Sequence, residues 1–249
     1  MGLIKGFLMS LGMFSIIPVP KNSWNEKYNS LLMPSLPLVG LIIGFVWYGV
    51  SYALQYFSVP LLINSVIVLF VPFILSGLIH ADGYMDTADA VFSRRDLTEK
   101  KRILKDPNTG AFAVISIIGL ILFQFCIIHT ILDQQKPLWV FVFIPVMSRC
   151  IAGIAVLNIK PLFESGYQVM FKKDSKPRHT IFICLFTVAL FFTAWFKLDI
   201  SLFPLLSGVL AGILTAIYLY RHFKGLSGDL CGSIIIISEF SALLCLALI

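Results

Sequence analysis

Runs of about twenty apolar residues, each long enough to cross the roughly 30 Å hydrocarbon core of a bilayer as a helix, recur along most of this chain. The pattern predicts about seven spans, at 36–56, 60–79, 110–132, 138–157, 180–196, 202–220 and 231–249. Composition agrees: 58% of the 249 residues are hydrophobic and only 13% charged, half of what a soluble domain uses to cover its surface. Soluble, disordered and disulfide-stapled classes are excluded by the same numbers. The expected architecture is an all-α polytopic membrane bundle forming one domain over residues 1–249. Pro72 and Pro145 fall inside spans and predict kinks. The apolar stretch 7–17, followed by Pro18-Val19-Pro20, has no small-residue cleavage site and reads as an interfacial or re-entrant helix of the mature protein.

The net charge of +6 sits in short loops between apolar runs, so it orients the chain in the lipid bilayer and gives no case for nucleic acid. Alternate loops are rich in Lys and Arg, whereas the others hold only Lys136 and Lys197. The positive-inside rule therefore places the loop 80–109 in the cytoplasm, and the plasma (inner) membrane is the expected location. The five cysteines lie in or beside apolar runs with no metal-ligand spacing, and read as small hydrophobes.

The loop 80–109 holds six of the 13 acidic residues. Asp82, Asp86 and Asp89 are spaced i, i+4, i+7, which on a helix stacks three carboxylates on one face. Such crowding is relieved by a cation, and Mg²⁺ suits it, since it takes carboxylate oxygens together with substrate phosphates and keeps waters. The plainer reading is an acidic helix start favoured by the macrodipole. His80 reads as a metal ligand, a phosphate-binding imidazole or an interfacial polar residue. Asp106, before Pro107, either caps a turn or joins the acidic cluster, with Lys105 nearby for phosphate. Arg94, Arg95, Lys100, Lys101 and Arg102 read as lipid-headgroup contacts.

Arg149 and Glu239 fall inside predicted spans, where charged side chains face the bundle interior. They either pair with each other or, for Arg149, bind a phosphate through the planar guanidinium fork. Gly225-Leu226-Ser227-Gly228-Asp229 opens the last span, and glycines there let backbone N–H groups approach an anion; Gly225 and Gly228 are therefore candidate substrate contacts. Carboxylates for a metal, an arginine and a glycine-rich helix start together suit a membrane phosphotransferase that holds a pyrophosphate.

His80, Asp82, Gly83, Asp86, Thr87 and Asp89, followed by Asp106 and Gly110-Ala111-Phe112, resemble the H-x-D-G-x-x-D-T-x-D-G and D-S-x-x-G-A-F segments of the cobalamin synthase (adenosylcobinamide-GDP ribazoletransferase) family. Further landmarks follow in order: Ile17-Pro18-Val19-Pro20, Pro37-Leu38-Val39-Gly40, Ser148-Arg149, and Gly225, Gly228, Asp229, Gly232 with Glu239. Departures are Leu78 in place of a second glycine, Ala90 for the glycine closing the aspartate motif, and Pro107 for serine. The resemblance implies Mg²⁺-dependent transfer of cobinamide phosphate from adenosylcobinamide-GDP to α-ribazole or α-ribazole 5′-phosphate, with release of GMP. It implies Asp82, Asp86 and Asp89 as metal ligands, with Asp106 a further one, and Arg149 and Lys105 on phosphates. Asp229 or Glu239 would then position or deprotonate the attacking 5′-oxygen. Assembly as a homo-oligomer is left open. Two rivals remain: a CDP-alcohol phosphotransferase, whose motif carries an Ala-Arg pair after its first Asp-Gly where Tyr84-Met85 stand here, and a secondary transporter, which requires acids deep in several spans.

Overall fold

The computed structural model describes residues 2–164, 166–173, 175–198 and 201–249. Those residues form helices α1 (Gly2–Phe14), α2 (Leu32–Tyr56), α3 (Leu61–Leu75), α4 (Ile79–Phe92), α5 (Leu97–Ile103), α6 (Ala111–Asp133), α7 (Val140–Asn158), α8 (Tyr167–Lys173), α9 (Pro177–Leu198), α10 (Phe203–Phe223) and α11 (Gly228–Leu248). Among them there is no strand, only an isolated parallel bridge between Pro161 and Leu226. Six helices are long and apolar enough to cross a membrane, and α3 with α4 makes a seventh if that bent pair is one span. The chain is a polytopic helical membrane bundle.

The axis of the bundle is α7, with 94% of its apolar window buried inside the protein. Without a hydrophobic difference between lipid and side chains, helices in a bilayer associate where small residues let backbones approach. Gly40 and Gly44 on α2 supply one such seam. A Cβ at Gly40 would stand 2.5 Å from the Pro145 carbonyl oxygen, and one at Gly44 would collide with the Val142 backbone. Gly208 and Gly212 on α10 supply a second, against Met147 and Ile151 of α7 and Ser238 of α11. Trp47 seals the α2 side, stacking on Phe141 at 4.5 Å and donating its Nε1–H to the Val68 carbonyl of α3 at 2.8 Å. Helices α6, α9 and α10 form the outer ring, with no more than a third of their apolar windows buried.

The expected span at 60–79 is corrected here. Apolar residues run through Ile79, but α3 ends at Leu75, and α4 leaves at 88° to it. Fifteen residues of α3 rise about 22 Å, short of a full hydrocarbon core. The break is made by Gly77 and Leu78, both in the left-handed region at φ 64° and 61°, which no helix tolerates in its interior. Pro72 and Pro145 stay inside α3 and α7. Helix α1, about 20 Å long, is too short to cross alone and packs on α2 and the turn before it, with Gly6 against Leu31.

Candidate active site

The bend after α3 sends α4 across α11 and α6, and so carries the acidic motif to the start of α11. Two glycines set that crossing. A Cβ at Gly83 would lie 2.7 Å from the Cα of Asp229, and one at Gly232 would lie 3.0 Å from the His80 carbonyl oxygen. Ser233 Oγ also donates to the Gly83 carbonyl at 3.3 Å. The outcome is a cavity of about 330 Å³ whose lining includes His80, Asp82, Ser227, Gly228, Asp229 and Gly232. Its other wall is apolar, from Met13, Phe14, Met33, Leu36 and Phe171. Ser227 caps α11, accepting from Leu230 N at 3.4 Å, so the positive end of the helix dipole opens on this space.

Asp82, Asp86 and Asp89 do share one helix. Asp82 is exposed, Asp86 and Asp89 half-buried. The charges that act on Asp86 are Asp82, Asp229 and Asp89, all of the same sign. Asp89 is engaged elsewhere: its Oδ1 accepts from Ala113 N at 3.3 Å, and Gly110 leaves room for its carboxylate at the start of α6. Among the described residues no three His, Cys, Asp or Glu side chains converge tightly enough to hold an ion by themselves.

Asp106 keeps to its own turn. Its Oδ1 accepts from the Asn108 amide N at 3.0 Å and Nδ2 at 2.7 Å, and Oδ2 lies 3.4 Å from Arg102 Nη1. The Asn108 amide, then its side chain, hold the Asp106 carboxyl below the usual carboxylate range. Lys105 lies over the Phe163 ring at 4.1 Å. Neither residue lines the cavity.

Arg149 and Glu239 form a buried ion pair at 2.8 Å, with Ser148 Oγ donating to the same carboxylate oxygen at 2.8 Å. Their side chains are 1% and 7% exposed, so neither reaches the cavity, and the role of Arg149 as a direct phosphate contact and that of Glu239 as a base on substrate are not supported by their placement. His80 connects the two regions. It lines the cavity and also a void of about 10 Å³ shared with Arg149 and Glu239, and its Nε2 has no partner there. Gly225 is buried against Leu162, where a Cβ would lie 2.7 Å from the Leu162 Cα. It sits beside the backbone pairing of Leu226 with Lys160 and Leu162 and does not line the cavity. Gly228 is exposed with open space beside it, on the cavity wall. Sequence reasoning missed Ser227; the signal was a Ser immediately before the helix-opening Gly-Asp pair.

The family model described as Cobalamin-5-phosphate synthase matches residues 6–247. This chain belongs to that family. The cobalamin-5-phosphate synthase assignment is supported by relatives named adenosylcobinamide-GDP ribazoletransferase. That of Clostridium perfringens (strain SM101 / Type A) is 35% identical over 98% of both chains. That of Clostridium botulinum (strain Eklund 17B / Type B) is 33% identical over 97% of this chain and 96% of its own, and that of Geobacillus kaustophilus (strain HTA426) 31% identical over 93% and 90%. No solved structure matches. With the synthase family comes an activity class: the chain is a membrane transferase of cobalamin synthesis.

Proposed function

We propose that the chain joins adenosylcobinamide-GDP to α-ribazole or α-ribazole 5′-phosphate at the cavity between α4 and α11, releasing GMP. The observation that carries this is Asp82 facing the same cavity as Asp229 and the capped N-terminus of α11, in a chain of this family. A diphosphate seated there meets the Gly228 backbone and the helix dipole. A ribose hydroxyl attacks the phosphorus bearing the cobinamide; a new P–O bond forms as the bond to the GMP phosphate breaks. Asp229, half-buried at the helix start, accepts the hydroxyl proton. The 5′-oxygen expected as nucleophile is already esterified in α-ribazole 5′-phosphate. One geometry that serves both acceptors therefore uses a ring hydroxyl of the ribose. The apolar wall of Met13, Phe14, Leu36 and Phe171 excludes water that would otherwise hydrolyse the diphosphate.

The donor set suits Mg²⁺: hard carboxylate oxygens from Asp82 and Asp86, facing Asp229, with only like charges acting on Asp86. An ion that uses one or two carboxylates plus substrate phosphates needs no closed protein cage. When bound, Mg²⁺ would neutralise charge on the diphosphate and the departing GMP. His80 lies between the two regions, with the small void it shares with the Arg149–Glu239 pair on one side and the cavity on the other. The excess of Lys and Arg in the loops on this side supports a cytoplasmic orientation for this face, in a chain read as a plasma-membrane protein.

The test is GMP release by purified protein in liposomes given adenosylcobinamide-GDP, either acceptor and Mg²⁺. Release that stops on chelation and returns with Mg²⁺ is expected. Folded protein that releases no GMP with either acceptor would overturn the reading, and CDP-alcohols would be the next substrates.

A further inference from the structure

The largest cavity described lies away from this site, a concavity of about 680 Å³ between α7 and α10. Its floor is apolar, from Ile151 and Ile154 of α7 and Ile213 and Ile217 of α10. Ile213 and Ile217 are 46% and 45% exposed on a membrane-crossing helix, so the concavity opens towards acyl chains. At one end the lining turns basic, with Lys160, Lys172 and Arg221 beside Tyr220, and among the described residues it contains no acidic one. Lys172 donates to the Ile159 carbonyl at 2.9 Å. The side chains of Lys160 and Arg221 are exposed, and among the described residues neither has a hydrogen-bond or ion-pair partner.

We propose that this concavity is a binding site for an anionic phospholipid, its phosphate held by Lys160 and Arg221 and one acyl chain laid along Ile154, Ile213 and Ile217. Charge complementarity decides the occupant: an apolar trough ending in unpaired cations fits an amphiphile with an anionic head, and basic pockets between membrane helices bind such headgroups. A zwitterionic lipid brings its own cation to the same place and gains less. Occupancy has a route to the active cavity. Lys160 accepts through its backbone carbonyl from Leu226 N at 3.0 Å, and Leu162 N donates to the Leu226 carbonyl at 2.7 Å, one residue before the Ser227 cap. A headgroup gripping Lys160 and Arg221 thus pins both segments that position the start of α11.

Native mass spectrometry of the full chain in detergent, titrated with phosphatidylglycerol or phosphatidylcholine, reads this directly. Phosphatidylglycerol is expected to bind more tightly, with roughly a fivefold loss of apparent affinity for each cation removed in Lys160→Ala and Arg221→Ala. Lys136→Ala, in the turn between α6 and α7 at the opposite end of α7 from Lys160, is expected to leave that preference intact. Should the cation variants fail to fold, Ile217→Trp keeps both cations and fills the trough, and is expected to reduce phosphatidylglycerol binding. Equal affinity for the two lipids, a preference unchanged in the variants that fold, or displacement of phosphatidylglycerol by millimolar inorganic phosphate alone would each overturn the proposal. The readout is lipid mass, so its failure is distinct from failure of the transfer reaction.

Discussion

Gly83 of α4 lies against the backbone of Asp229 of α11, so close that a Cβ on Gly83 would stand 2.8 Å from the Asp229 carbonyl oxygen. This apposition sets the distance between the carboxylates of Asp82 and Asp229 on either side of it. Gly83→Ala must push α4 off α11, because the obstructing atoms are backbone. The expected result is a fall in transfer rate of about 10²-fold with the protein still folded, checked by GMP release beside a thermal melt.

Asp82 is exposed, and among the described residues its carboxylate makes no hydrogen bond; its backbone N–H donates to the Leu78 carbonyl. Asp82→Asn is therefore expected to leave the melting temperature unchanged while lowering turnover by about 10²–10³-fold. A raised Mg²⁺ requirement in any residual activity would accompany it. Unaltered turnover in this variant would remove Asp82 from the site.

The buried pair of Arg149 and Glu239 behaves differently. Replacing one partner leaves the other charged in the bundle interior, so Glu239→Gln should cost about 3–5 kcal/mol. The double variant Arg149→Met/Glu239→Met should recover much of that stability. Reversible unfolding in mixed micelles measures these beside the singles Arg149→Met and Glu239→Met; a cost in the double variant equal to the sum of those two singles would contradict the coupling.

Leu78 holds a left-handed conformation, φ 61°, and the residue is 54% exposed, with little packing to lose. Leu78→Gly removes a backbone penalty of about 1–2 kcal/mol, partly offset by the entropy glycine loses on folding. A net stabilisation of up to about 1 kcal/mol is expected in the same unfolding assay.

Acid should loosen the turn at 106–108 before it touches the bundle. The Asp106 carboxyl is held below its ordinary range by Asn108, so the turn gains from ionised Asp106 at any pH above the ordinary carboxylate range. That gain is lost as pH falls through the lowered value. Hydrogen exchange at the Asn108 amide should rise there, and Asp106→Ala should remove the pH dependence while leaving Mg²⁺-dependent turnover intact.

Six of the seven expected spans were legible because each is an apolar run within the roughly 17–25 residues that a spanning helix needs, and the helix carrying Asp82, Asp86 and Asp89 because their spacing has a helical period. The break at Gly77 and Leu78 was not, since hydropathy runs unbroken across it and the only local mark is a glycine. Asp89 looked equivalent to its neighbours; its engagement with α6 depends on Gly110, 21 positions away. Pairing of Arg149 with Glu239 was one of two readings left open by burial, and only the meeting of α7 with α11 settles it. The two glycine seams around α7 went unread in the sequence, although Gly40 with Gly44 and Gly208 with Gly212 carry the four-residue spacing that notches a helix; that spacing does not show what fills the notch.

Ninety residues separate Arg149 from Glu239. A ribosome adding about 5–20 residues each second delivers α7 several seconds before α11. For that interval the guanidinium has no counter-ion, at an insertion cost of about 2.5–3.5 kcal/mol near mid-membrane. The Pro145 carbonyl, 3.2 Å from Arg149 Nη1, is a partner already present on the same helix. Biogenesis therefore favours keeping α7 beside the α2 notch or within the insertase until the last helix emerges. A chain truncated before Glu239 would leave a membrane-embedded cation exposed to quality control.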